Sequence, residues 1–201
     1  MATVFFITHP DVAIDPAVPV PDWPLNPRGI ARMRAMLLLP WAFGIAHVVS
    51  STERKALDGA AILSEFLALT PVAHPDLGEN DRSATGFLPK AEFEAVAGLF
   101  FARPSESIRG WERAVDAQAR IVSAVRAVVD AAPSGDVAIV SHGGVGALLL
   151  CHLLQTPISR TMDQPAGNGG NVLAFDRQVG TLRCGWRDIR QAAWNRLLFT
   201  P

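Results

Sequence analysis

The residues best placed to do chemistry are His9 and His142, because each follows an uninterrupted apolar run. Thr3-Val4-Phe5-Phe6-Ile7 leads to the first and Val137-Ala138-Ile139-Val140 to the second. Runs that do not alternate read as strands covered on both faces. In parallel α/β sheets, ligands bind outside the carboxyl ends of such strands, so two histidines at two such ends can face one site. Imidazole titrates near neutral pH and can shuttle a proton, ligate a metal or attack phosphorus. Taken singly, either is also what an ordinary hydrogen-bonded strand end looks like; the pairing points to chemistry. Gly143 and Gly144 follow His142 and open an apolar stretch, Val145 to Leu154. Free amides at a helix start hold an anion, and glycine there equally serves a tight turn.

The elements that must position these groups follow from the same patterns. Asn26 and Pro27 cap and start a helix carrying Ile30, Met33 and Leu37 on one face. Val48-Val49 lies in a second strand ending at Ser50-Ser51, and Glu53 to Leu69 reads as a helix. A weak strand is expected near Pro71 to His74, a loop over 75–89, a short helix over 90–101 and a longer one over 106–132. In that last stretch Ile108, Trp111, Val115, Val122, Val125 and Val129 recur at steps of three and four. After Asn168-Gly169-Gly170-Asn171 come late strands at 172–176 and 181–186. Strands alternating with helices predict an α/β fold, a three-layer α/β/α sandwich with a mostly parallel sheet. The chain is read as a single domain over 1–201, with a lid and loop region around 75–110.

Four segments in order resemble the histidine phosphatase superfamily, also called phosphoglycerate mutase-like. Its members carry Arg-His-Gly after the first strand, Ser-Ser-Pro-Leu-x-Arg-Ala-x-Gln-Thr-Ala after the second, then Leu-x-Glu, and late in the chain Ser-His-Gly. Here the corresponding residues are Thr8-His9-Pro10, Ser50-Ser51-Thr52-Glu53-Arg54-Lys55-Ala56, Leu77-Gly78-Glu79 and Ser141-His142-Gly143. The resemblance covers residues 3–155. It implies a phosphomonoester hydrolase of the phosphatase branch, with His9 as the nucleophile that becomes phosphorylated. His142 is then a donor to the phosphoryl oxygens and Glu79 the general acid. Ser51, Gly143 and the basic residues below join them as substrate-binding groups. No metal or cofactor is implied.

The departures fall on the phosphate ligands. Thr8 stands where the family has arginine, replacing a forked, charged donor with one hydroxyl. Lys55 aligns with the second family arginine and keeps the charge without the bidentate geometry. Arg54 is its helical neighbour, about 100° away, so the two cannot line one pocket equally. Pro10 replaces a glycine and excludes a positive φ there. Arg82 and Arg109 are the candidates to restore the missing charge. Phe87, Phe93, Phe100 and Phe101 make the lid region apolar, mostly as core.

A second reading keeps the fold without catalysis: a sensor or partner module that binds a phosphorylated or other anionic ligand. A third, a metal-dependent hydrolase, rests on two histidines and lacks a clustered third ligand. The net charge is −1, from 18 basic and 19 acidic residues, so nothing favours a nucleic-acid backbone or an anionic membrane. Hydrophobic residues make up 49% and mean hydropathy is +0.22, which excludes a disordered chain. Cys151 and Cys184 form no motif, no basic leader precedes the first apolar run, and no run approaches the roughly 20 residues of a membrane span. A cytoplasmic protein acting on a small phosphorylated substrate is expected. Trp186 and Trp194 are read as core, with a homodimer contact as the alternative. Asp163-Gln164 and the Asn168–Asn171 segment are read as a turn without chemistry.

Overall fold

A computed structural model describes residues 2–178 and 180–191. Six strands form one sheet: β1 (Thr3–Thr8), β2 (Ile45–Ser50), β3 (Val72–Ala73), β4 (Asp136–Ser141), β5 (Asn171–Asp176) and β6 (Leu182–Asp188). Their order is β3-β2-β4-β1-β5-β6. The first four run parallel, while β5 and β6 add an antiparallel edge. β1 is buried at every position, as its unbroken apolar run requires.

Helices cover both faces. On one side α1 (Pro27–Met36) and α2 (Arg54–Leu67) pack Met33, Met36, Ala60 and Leu63 against Phe5, Ile7, Ala138 and Val140. On the other, α4 (Ala114–Ala131) and α5 (Gly143–Leu153) pack Ile121, Val125, Val145 and Leu149 against Val4, Phe6, Val137 and Ile139. Alternate residues of β1 and β4 thus feed the two cores, which gives the three layers. α1 begins as expected, with Asn26 Oδ1 accepting from Gly29 N at 2.9 Å. α3 (Lys90–Ala102) packs Val96, Phe100 and Phe101 against Trp111, Ala117 and Leu148 in a third apolar cluster.

One boundary is corrected. The helix expected from residue 106 starts only at Ala114, because Arg109 sits at φ 53° and Gly110 at φ 82°. The apolar spacing of Ile108 and Trp111 reflects burial against α3 rather than helix. Trp186 packs on the α5 side of the sheet, where a Cβ on Gly146 would meet its ring at 2.7 Å. Trp194 lies outside the described residues. Among the described residues no helix is long and apolar enough to cross a membrane.

Candidate active site

The sheet register explains how the two histidines meet. β1 and β4 are parallel neighbours with Thr8 opposite Ser141, so the next residues leave the sheet side by side. His9 N donates to Ser141 O at 3.0 Å, and the two rings lie edge to face with centroids 5.2 Å apart. His9 Nδ1 is 2.9 Å from Pro10 O. A carbonyl only accepts, so Nδ1 carries the proton and Nε2 keeps its lone pair. Burial of the ring, then the neighbouring His142, push the His9 pKa down to about 3, so the ring is neutral near pH 7.

His142 is fully buried, and its pKa is also lowered, chiefly by burial. Its Nε2 lies 2.7 Å from Ser51 Oγ and 3.3 Å from Glu53 Oε1. Its Nδ1 is buried without a hydrogen-bond partner.

Glu79 stands at the start of α5. Its Oε2 accepts from Gly144 N, and its Oε1 from Val145 N and Asn80 N, each at 3.0 Å. A side chain at Gly144 would place Cβ 2.7 Å from Glu79 Oε1, so glycine is what lets the carboxylate reach these amides. The amides that sequence reasoning offered to a bound anion are thus partly taken by Glu79. The N–H of Gly143 remains at the helix start.

Glu53 is the residue the sequence reading missed. It occupies the place of the family leucine, where the sequence alone marks only the beginning of a helix. Its Oε1 accepts from Glu79 N at 2.8 Å, and its Oε2 takes the ammonium of Lys55. Burial alone would raise the Glu53 pKa. His142, the Lys55 charge and the Glu79 amide outweigh it and bring the carboxyl down to about 2. Lys55 is only 3% exposed and also donates to Val20 O at 2.8 Å. It lies beside the site with its charge already paired.

The other predicted ligands divide. Thr8 is buried under the site, with Oγ1 donating to Gln164 Oε1 at 2.7 Å and accepting from Asn171 N at 2.9 Å. Ser51 binds His142 and accepts from Glu53 N at 3.0 Å. Arg82 lies over Phe93 and Trp111, 5.2 and 5.6 Å from their ring centroids, and its charge is felt at His142. Arg54 is corrected: it points outward, 61% exposed, and pairs with Asp58. Arg109 likewise faces solvent, paired with Glu92. Among the described residues no group of three or more His, Cys, Asp or Glu is arranged to hold a metal ion.

Underneath, Asp11 and Arg32 form a buried ion pair at 2.8 Å. Arg32 also donates to the carbonyls of Gly167 and Gly169, at 3.0 and 2.7 Å. This ties the backbone after His9 to the glycine-rich loop before β5.

At the carboxyl ends of adjacent strands of a three-layer α/β fold, two neutral histidines thus meet the carboxylate of a loop glutamate that caps the helix following the second of them. The sequence profile of the histidine phosphatase superfamily (branch 1) matches residues 16–184, and the chain belongs to that superfamily. The match begins after His9, in keeping with the altered first motif. No curated protein sequence matches the chain. Among solved structures, a mycobacterial glucosyl-3-phosphoglycerate phosphatase with inorganic phosphate is 23% identical, with TM-score 0.72 over 93% of this chain and 95% of that one. Bacillus stearothermophilus YhfR is 23% identical, with TM-score 0.72 over 92% and 95%. The alpha-ribazole phosphatase of Shigella flexneri is 17% identical, with TM-score 0.68 over 95% and 97%. These likenesses establish a phosphoglycerate mutase-like fold.

Proposed function

We propose that the protein is a phosphomonoester hydrolase working through a phosphohistidine on His9. One observation carries this reading: His9 is neutral, its Nδ1 proton is fixed on Pro10 O, and its Nε2 lone pair is free beside His142. In the first step Nε2 attacks phosphorus while the bond from phosphorus to the ester oxygen breaks. Glu79 gives the leaving alkoxide its proton; Oε2, which accepts one amide, has the lone pair left to hold it. In the second step water attacks the phosphohistidine, the P–N bond breaks, and Glu79 takes the water's proton. When Ser51 donates to His142 Nε2, the ring's Nδ1 carries the proton and has no protein acceptor. That N–H is the donor for a phosphoryl oxygen. The names of the similar structures, phosphatases of glucosyl-3-phosphoglycerate and alpha-ribazole phosphate, support a small phosphorylated metabolite as substrate.

A second reading has its own observation. Thr8 brings no charge and Lys55 is neutralised by Glu53, so neither of these two positions supplies the free positive charge that the family arginines carry. The site would then bind an anion without turning it over.

Incubation with an aryl phosphate in the presence of a chelator, with His9→Ala as control, separates the two. Phosphate release, with acid-labile phosphate on the wild-type chain only, is the expected result. Release that persists in His9→Ala would refute the phosphohistidine. Saturable phosphate binding without release would establish the second reading.

A further inference from the structure

The turn between α5 and β5 carries a group for which the mechanism so far has no use. Gln164 Oε1 accepts from Thr8 Oγ1 at 2.7 Å and from Asn171 Nδ2 at 3.0 Å. The orientation of this amide follows from its neighbours. Asn171 Nδ2 also reaches Gly169 O at 3.3 Å, and a carbonyl requires a donor. Thr8 Oγ1 accepts from Asn171 N, so its own proton is the one to give. Both neighbours therefore present donors, and Gln164 must turn its oxygen toward them. Its Nε2 faces the other way, onto the start of α5. A Cβ built on Gly143 would stand 2.1 Å from that nitrogen, so only glycine at 143 leaves room for it. The Nε2 makes no hydrogen bond among the described residues. It lies next to the residue after His142, and its oxygen is anchored on the residue before His9.

We propose that Gln164 Nε2 is a phosphoryl-oxygen donor in this site, taking over with neutral N–H groups the task that arginine at position 8 performs in the family pattern. The inference deepens the hydrolase reading and rests on it for the identity of the anion. Thr8 acquires a role: its hydroxyl does not touch the substrate but fixes which end of the Gln164 amide does. Thr8, Asn171 and Gln164 together form a relay from the β1–β5 pairing to the site, with Gly143 N–H beside it as a second uncharged donor. A primary amide offers two hydrogens in one plane, and Oε1 is fully engaged, so Nε2 is free to give them to an anion.

The test uses the full chain and inorganic phosphate, with the dissociation constant measured by titration calorimetry and melting temperature as the control for folding. Gln164→Met removes the donor without adding charge. Thr8 Oγ1 keeps Asn171 O at 3.3 Å as an acceptor and Asn171 Nδ2 keeps Gly169 O, so this variant retains the fold. Gln164→Glu keeps the acceptor for both neighbours and turns the donor into a second acceptor. A hydrogen bond to a charged group is worth about 1.5–3 kcal/mol, so phosphate affinity falls about 10- to 150-fold in the Met variant and further in the Glu variant. Thr8→Ser keeps the affinity and Thr8→Val lowers it, which separates orientation of the amide from mere packing. Unchanged affinity in either folded Gln164 variant overturns the proposal, as does a loss confined to Gln164→Glu, which would reflect charge alone. Gln164-dependent phosphate binding without ester hydrolysis would uphold this inference while ending the hydrolase reading. Hydrolysis with unaltered phosphate affinity in the variants would do the reverse.

Discussion

Lys55 and Glu53 show how one altered residue resets its neighbour's role. The family pattern places leucine two positions before the arginine; here Glu53 stands there and draws the Lys55 ammonium onto its carboxylate. With Glu53 held ionised, the lysine and the glutamate cancel as seen from a bound anion. Glu53→Gln keeps an oxygen for Glu79 N–H but removes the charge. At an effective dielectric constant near 20, a unit charge about 8–15 Å away is worth on the order of 1–2 kcal/mol. Inorganic phosphate should therefore inhibit or bind this variant about tenfold more tightly, and the gain should shrink as salt is raised. Equal affinities in titrations at low salt would mean that the Glu53–Lys55 pair is purely structural. The sequence held the two histidines, Glu79 and the loss of arginine at position 8 in plain view. The fate of the charges was not legible. Whether Arg54, Lys55, Arg82 or Arg109 turns inward depends on partners such as Asp58, Glu53, Phe93 and Glu92, which only the fold supplies.

At the level of elements, the strands were readable because burial on both faces leaves an unbroken apolar run, and α1 because Asn26 and Pro27 mark its start. The late start of α4 was not, since Ile108 and Trp111 keep helical spacing while packing from a single 3-10 turn against α3. Gln164 escaped for a different reason: its contact with Thr8 spans 156 residues, and nothing local distinguishes it from any turn glutamine. The loop that carries this contact is itself held by close backbone approach. Gly170 N donates to His9 O at 3.1 Å, and a Cβ on Gly169, at φ 71°, would fall 2.1 Å from that same oxygen. The opposing atom is backbone and cannot rotate away. Gly169→Ala should lose about 2–5 kcal/mol, combining left-handed strain of about 1–2 kcal/mol with a forced shift of about 1–3. Gly86 is the matched control, at φ 62° with nothing within 4 Å of its Cβ; Gly86→Ala should lose only the strain. Urea unfolding of both variants decides this, and equal losses would show that the His9 loop yields freely.

For the molecule as a whole, the site sets a pH limit on stability. His9 has a folded pKa of about 3 against an ordinary 6.5, lowered first by burial and then by His142. Between those values the unfolded chain binds a proton that the folded chain refuses, so stability rises with pH through this window and is complete above about 6.5. His142 is shifted in the same direction, chiefly by burial, and adds to the slope. Glu53 acts lower on the scale. Its folded pKa of about 2 lies below the usual 4.5, because His142, Lys55 and the Glu79 amide outweigh burial. Its contribution is present above 4.5 and lost as pH falls toward 2. The three groups therefore destabilise the fold on acidification, the histidines first. One histidine with this shift removes about 1.5 kcal/mol between pH 6.5 and 5. His9→Asn should flatten the dependence of the urea midpoint over that interval by about this amount while leaving the fall below pH 4.5 in place. A parallel pH dependence in wild type and variant would mean that His9 takes up its proton in the folded chain as readily as in the unfolded one. Burial would then not be what keeps the nucleophile neutral, and activity would fall as pH drops through the ordinary histidine range.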